Sequence, residues 1–166
     1  MLNCPQCQRD LTKGEEGYYC SSCSFSAPFV YRGKRLSLEI LTQLFSTGET
    51  TEESWKRRDT GALFLGKLKL TSRYTISFVP SFLPNCSCPL CHSKILKTPI
   101  GWQCEKGDVT VWEKIAERKL TLSEVKQLFM YGITDELSGF VSKETLKRFS
   151  AKLKIEKDGS VGFFFE

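Results

Sequence analysis

Four cysteines open the chain in two C-x-x-C pairs, Cys4-Pro5-Gln6-Cys7 and Cys20-Ser21-Ser22-Cys23, with twelve residues between the pairs. Thiols at that spacing converge from two tight knuckles, and four thiolates around zinc close a tetrahedral structural site with no open position. A redox C-x-x-C needs a reactive pair at a helix N-terminus, and no helical pattern follows either pair. Cys86, Cys88, Cys91 and Cys104 make up the rest of the eight cysteines. Lowered by 84, the numbers of Cys88, Cys91 and Cys104 fall on Cys4, Cys7 and Cys20, but Gly107 falls on Cys23. Cys86 would have to fold back over the knuckle to replace the missing ligand, His92 follows Cys91 directly, and a carboxylate such as Asp108 is uncommon among thiolates. The spacing predicts one structural Zn2+ on Cys4, Cys7, Cys20 and Cys23. The second ribbon is expected to fold without zinc, with Val109, Val111 and Trp112 supplying packing where Phe25, Ala27 and Pro28 stand in the first. A weaker second site would draw on Cys88, Cys91, Cys104 and Cys86.

The elements that carry these cysteines also come twice. Leu36, Leu38, Gln43, Leu44, Phe45, Gly48, Thr50 and Ser54 match Leu120, Leu122, Gln127, Leu128, Phe129, Gly132, Thr134 and Ser138 at the same offset. After one inserted residue, Phe64, Lys67, Leu68, Lys69 and Phe78 match Phe149, Lys152, Leu153, Lys154 and Phe163. A duplication organises everything else. It predicts an α+β chain of two tandem repeats, each a small zinc-ribbon-like β unit followed by a short helix packed on a β-hairpin. Repeat 1 spans 1–80, with the ribbon at 1–31 and the helix and hairpin at 32–80. A linker covers 81–85. Repeat 2 spans 86–166, with a degenerate ribbon at 86–115 and the helix and hairpin at 116–166.

Ser37 and Thr121 are helix N-caps, and Thr121-x-x-Glu124 has the form of a capping box. Gly48 and Gly132 stand where a left-handed C-cap falls. Phe149, Ala151, Leu153 and Ile155 alternate with polar residues, and Asp158-Gly159 supplies a turn. Gly66 and Ala151, small at equivalent positions, are expected to let the helix approach the strand.

Pieces of the second unit, Lys119-Leu120-Thr121-Leu122-Ser123-Glu124, 128–134, Gly139-Phe140-Val141-Ser142-Lys143, Phe149-Ser150-Ala151-Lys152-Leu153 and Phe163-Phe164-Phe165, follow one another in a familiar order. With the CPxC cysteines before them, each unit resembles the C-terminal zinc-ribbon repeat of type IA DNA topoisomerases, particularly the topoisomerase III-like enzymes. The resemblance covers nearly the whole chain. It implies an accessory part that holds single-stranded DNA near a catalytic core and, in some members, touches other proteins. The family's catalytic tyrosine domain and acidic Toprim domain are far larger than this chain, and no Asp-x-Asp pair is present.

Composition agrees with a non-enzymatic reading. The chain has one His in 166 residues and no nucleophile constellation. It carries 24 basic against 19 acidic residues, a mildly basic balance that permits a polyanion partner. No window approaches a membrane span, and Met1-Leu2-Asn3-Cys4 has neither the charged nor the apolar region of a secretory signal, which predicts a cytoplasmic protein. Lys67, Lys69, Lys152 and Lys154, on the outward face of matching strands, are phosphate-contact candidates, as are Arg57 and Arg58. Each also fits an ordinary solvated face. Tyr18 and Trp102 share a position expected to face inward, which leaves Tyr19 as the base-stacking candidate. Trp112 is expected to pack inward. The expected partner is single-stranded DNA. The competing class is a protein adaptor that docks on a topoisomerase or other DNA-processing protein by strand addition at a hairpin edge.

Overall fold

The computed structural model describes all 166 residues, which form two compact units, Met1–Pro80 and Ser81–Glu166. In the first, β1 (Thr12–Lys13), β2 (Gly17–Tyr19) and β3 (Ser26–Pro28) form an antiparallel ribbon, and β4 (Val30–Tyr31) pairs with β5 (Lys34–Arg35). Helix α1 (Leu38–Thr47) follows, then a three-stranded sheet of β6 (Glu53–Lys56), β7 (Leu63–Leu70) and β8 (Ile76–Pro80), with β7 central.

The second unit repeats the plan with one strand more. Its ribbon is a four-stranded sheet in which β9 (Phe82–Ser87) is an edge, next to β10 (Lys94–Thr98), β11 (Gly101–Cys104) and β12 (Thr110–Trp112). Residues 81–85, expected to join the units, are thus largely taken into β9. Pro84 is tolerated there because an edge strand leaves one side unbonded. Strands β13 (Lys114–Ile115) and β14 (Arg118–Lys119), helix α2 (Leu122–Tyr131), and the sheet β15 (Leu137–Val141), β16 (Arg148–Ile155) and β17 (Val161–Phe164) complete it. Neither helix is long and apolar enough to cross a membrane.

Local chemistry explains why the helices start and stop where they do. The Ser37 hydroxyl accepts from the Ile40 N–H at 3.2 Å. Thr121 accepts from Glu124 N–H at 3.3 Å while Glu124 accepts from Thr121 N–H at 2.8 Å, the reciprocal capping box. Gly48 and Gly132 end the helices in left-handed conformation, at φ 82° and 74°.

The residues that match in sequence make the same contacts. Gln43 Oε1 accepts from Thr51 N–H at 3.1 Å, and Gln127 Oε1 accepts from Asp135 N–H at 3.2 Å. The buried hydroxyls of Thr50 and Thr134 accept from the N–H groups of Leu68 and Leu153, at 3.0 and 2.9 Å, tying each helix exit to its central strand.

The cores differ. The first unit has two, one of Leu2, Leu36, Leu41, Leu44, Trp55 and Leu68, the other of Cys4, Cys20, Phe25 and Ala27. In the second a single core of 16 buried residues runs from the ribbon through α2 to β16. Gly66 is small for a reason other than helix approach: a Cβ there would lie 2.4 Å from the Phe78 ring of the neighbouring strand. Trp55, buried in the first core, donates from Nε1 to Gly66 O at 3.2 Å.

Candidate metal centre and nucleic-acid interface

The knuckle after Cys4 is closed by backbone bonds from Gln8 N–H to Cys4 O at 2.8 Å and from Cys4 N–H to Arg9 O at 2.7 Å. Gln8 has φ 62°, which turns the chain so that Cys7 swings toward the second pair. Cys4 Sγ lies 3.5 Å from Cys23 Sγ, and Cys7 Sγ lies 3.4 Å from Cys20 Sγ. All four sulfurs fall within 4.8 Å of one another. Sulfurs at about 2.3 Å from a central zinc would stand about 3.8 Å apart, so the cluster needs only slight expansion to take one. The donor set is four sulfurs, two from buried and two from half-buried residues, which suits zinc or iron and not a hard cation.

The protein already prepares charge on this cluster. The Ser22 N–H, 3.4 Å from Cys20 Sγ, pulls that thiol down to about 7. At Cys23 the Phe25 N–H also favours the thiolate, but desolvation and the neighbouring Cys4, Cys20 and Cys7 sulfurs win and push it up to about 12. Four thiolates cannot coexist here without a cation between them.

In the second ribbon the same knuckle is built: His92 N–H donates to Cys88 O at 2.9 Å, and His92 has φ 57°. Cys88, Cys91 and Cys104 bring their sulfurs within 4.8 Å of one another, with Cys91 and Cys104 3.8 Å apart. Cys86 and His92 are not part of that group, and the Asp108 carboxylate reaches only the Cys91 thiol, where it disfavours the thiolate. Gly107, which has no side chain to offer, turns at φ 84° with nothing within 4 Å of where one would begin. Cys88 and Cys104 are part of the continuous apolar core, beside Leu83, Ile95, Val109 and Val111, as Cys4 and Cys20 are part of a smaller one. Trp112, expected to pack inward, is 50% exposed, because the inward position of β12 is taken by Val111.

The cationic candidates lie on surfaces of unequal availability. Lys67 pairs with Glu49 at 2.9 Å, Lys152 pairs with Glu166, and Lys154 stands 3.9 Å from Glu156 and over the Phe164 ring. Lys69 and Arg58 are exposed, while Arg57 is engaged by Asp59 at 2.9 Å. Tyr19 is 46% exposed, but it borders a depression that Glu15 and Glu16 also line, and those carboxylates repel phosphate. Lys34 and Arg118, 84 residues apart, sit over the Trp55 and Phe140 rings at 4.9 and 5.4 Å and donate to Ser54 O and Ser138 O. Arg73 and Tyr74, at the tip between β7 and β8, border a cavity beside β3.

The second unit has a counterpart among known families. Residues 106–166 match the C-terminal repeat of topoisomerase. Over 176 aligned positions the chain is 29% identical to a DNA topoisomerase 1 of Bacillus anthracis, an alignment that covers 98% of this chain and 20% of that protein. The chain therefore spans about a fifth of the length of the curated relative it matches. No solved structure matches it. Residues 106–166 are thus similar to a topoisomerase C-terminal repeat, and the similarity to a bacterial topoisomerase extends through the first unit as well.

Proposed function

We propose that the chain is a non-catalytic, zinc-containing cytoplasmic module that binds single-stranded DNA. The observation that carries this reading is the similarity, along 98% of the chain, to one stretch of a protein named for its action on DNA. In this reading Cys4, Cys7, Cys20 and Cys23 hold one structural Zn2+, which ties down a ribbon too small to be stable on its own core. Lys69, Lys154 and Arg58 neutralise phosphates, joined by Lys67, Lys152 and Arg57 when DNA displaces their carboxylate partners, and aromatic faces take bases.

Fluorescence anisotropy with single-stranded and duplex oligonucleotides at two salt concentrations tests it. Tighter single-strand binding with a steep salt dependence is expected. Replacing Lys67, Lys69, Lys152 and Lys154 with Ala together should weaken binding and lower the salt slope by less than four full phosphate contacts, because Lys67, Lys152 and Lys154 give up carboxylate partners in order to bind. An unchanged slope moves the DNA surface elsewhere. No binding at any salt removes the DNA reading. It would favour the adaptor reading, for which the edge strand β17 and the exposed Phe163, Phe164 and Phe165 beside it offer a place for strand addition.

A further inference from the structure

The two hairpin tips are built alike but end differently. Thr71 N–H donates to Thr75 O and Tyr74 N–H to Thr71 O, both at 2.9 Å; Glu156 N–H donates to Ser160 O at 2.8 Å and Gly159 N–H to Glu156 O at 3.0 Å. The fourth residue of each turn is left-handed, Gly159 at φ 84° and Tyr74 at φ 58°. Glycine is the ordinary occupant of that conformation, and a tyrosine there is strained, the kind of outlier that points to a use.

The substitution changes what lies beneath the tip. In the second unit the glycine lets the hairpin close onto the ribbon, so tightly that a Cβ on Gly159 would stand 1.8 Å from Asp108 O. In the first unit the residue at the Asp108 position is Ser24, and the tip stands off. Between ribbon and tip lies a cavity of about 350 Å³, whose lining includes Ser24, Ser26, Tyr31, Arg73, Tyr74 and Gln6. Its lining holds one cation, Arg73, and no carboxylate. Tyr31 is fixed by its hydroxyl, which donates to Ile76 O at 3.3 Å.

We infer that this cavity holds one unstacked base of a DNA strand, with Tyr74 stacking on the base, Ser24, Ser26 and Gln6 meeting its polar edge, and Arg73 on an adjoining phosphate. The volume lies at the small end of ligand pockets, which suits one base and not a duplex. An aromatic face accepts any base, and an arginine without a carboxylate neighbour is free for phosphate. The inference rests on the single-strand reading above and goes further, naming where a base is held.

The test is Tyr74→Gly in the intact 166-residue chain, a residue that the same turn already carries in the second unit, with folding checked by thermal unfolding. Affinity for a single-stranded oligonucleotide should fall between about fivefold and a hundredfold, the range of one lost stacking contact. Tyr74→Phe should stay within about twofold of the parent, since the ring carries the stacking. A strand of abasic residues, which has phosphates and no bases, should bind the parent and Tyr74→Gly equally. Arg73→Ala should lower the salt slope by about one. If folded Tyr74→Gly binds the base-bearing strand as tightly as the parent, or loses the abasic strand to the same degree, the base pocket is wrong while the single-strand reading stands. If the parent itself binds no single strand, both fall together.

Discussion

The two ribbons share knuckles, turns and strand order, yet they solve the problem of a small core in opposite ways. The first converges four thiols and holds its fully buried residues in two clusters bridged by the partly buried Leu11, Phe45, Leu70 and Ile76. The second keeps three thiols, loses the fourth at Gly107, and fuses ribbon, helix and hairpin into one core. The apolar gains can be sized. Leu83 and Leu96 are buried without apolar counterparts in the first unit, and Val111 stands where Ala27 does. At about 1.5–3 kcal/mol per buried leucine and 0.8 per methylene, these amount to about 5–8 kcal/mol. Set against the losses in the same ribbon, where Val109 replaces the larger Phe25 and Cys86 the buried Leu2, the net gain is well under half of the roughly 10–16 kcal/mol a structural zinc supplies. With zinc in the first ribbon alone, as proposed, packing of this kind would offset part of the metal's contribution in a ribbon that lacks the fourth thiol.

The largest effect that would break this comparison is at the matched cysteines. Cys20→Ser should take zinc from one per chain to none and unfold the first ribbon, since the loss is on the order of 10 kcal/mol. Cys104→Ser should leave the zinc content unchanged and cost about 1–3 kcal/mol, the penalty for a hydroxyl buried in an apolar core. Elemental analysis and unfolding of the two variants side by side decide it. Zinc surviving Cys20→Ser, or disappearing on Cys104→Ser, sinks the division of roles.

Next in size is the hairpin tip. Gly159→Ala should destabilise the second unit by about 3 kcal/mol, because a Cβ would collide with a backbone oxygen that cannot move cheaply. Tyr74→Gly at the matching position should change first-unit stability by no more than about 1 kcal/mol, relief of strain offsetting the added freedom of the unfolded chain. Equal and small losses at both positions would mean that the tips dock alike.

Val111→Ala gives the second ribbon the residue that the first has at Ala27. It should cost about 2 kcal/mol, through lost burial and a small cavity in the continuous core. An unfolding midpoint indistinguishable from the parent would show that the core is not what replaces the metal.

Much of this contrast was legible in the residues. Cysteine spacing placed the four-thiol cluster, and the duplication placed caps, exits and central strands, because each matched residue acts on its immediate neighbours. Gly48 and Gly132 end a helix, and Thr50 and Thr134 bond a strand. What escaped depended on contacts across the fold. Pro80 and Pro84 read as a linker, whereas Pro84 sits in an edge strand that pairs with β10, the next strand along the chain. Trp112 looked like compensation for a lost ligand, whereas Val111 took the inward position. The cavity under Tyr74 had one faint signal, a turn lacking the glycine that its partner turn contains.

The smallest expected effect separates the two helix starts. At the third helical position the second unit has Glu124 and the first has Ile40. Arg118 grips Glu124 at 2.6 and 2.8 Å, and this ion pair, helped by the Thr121 N–H, holds the Glu124 carboxyl below its ordinary 4.5. Both side chains are less than a fifth exposed, so salt screens them only partly. The folded state therefore binds fewer protons than the unfolded state in this range. The stabilisation is complete above about pH 4.5 and is lost as the pH falls through the lowered folded value. The first unit also has carboxyls pulled down, Glu49 by Lys67 and Asp59 by Arg57 to about 2, but these lie in water and fade with salt. In concentrated salt, acid should thus weaken the second unit by about 1 kcal/mol more than the first. Glu124→Gln, which keeps the shape of the cap and removes the titration, should abolish that difference. Unfolding curves of both units between pH 6 and pH 3 in high salt provide the measurement, and an acid response of the second unit that survives Glu124→Gln would place its origin in another carboxyl.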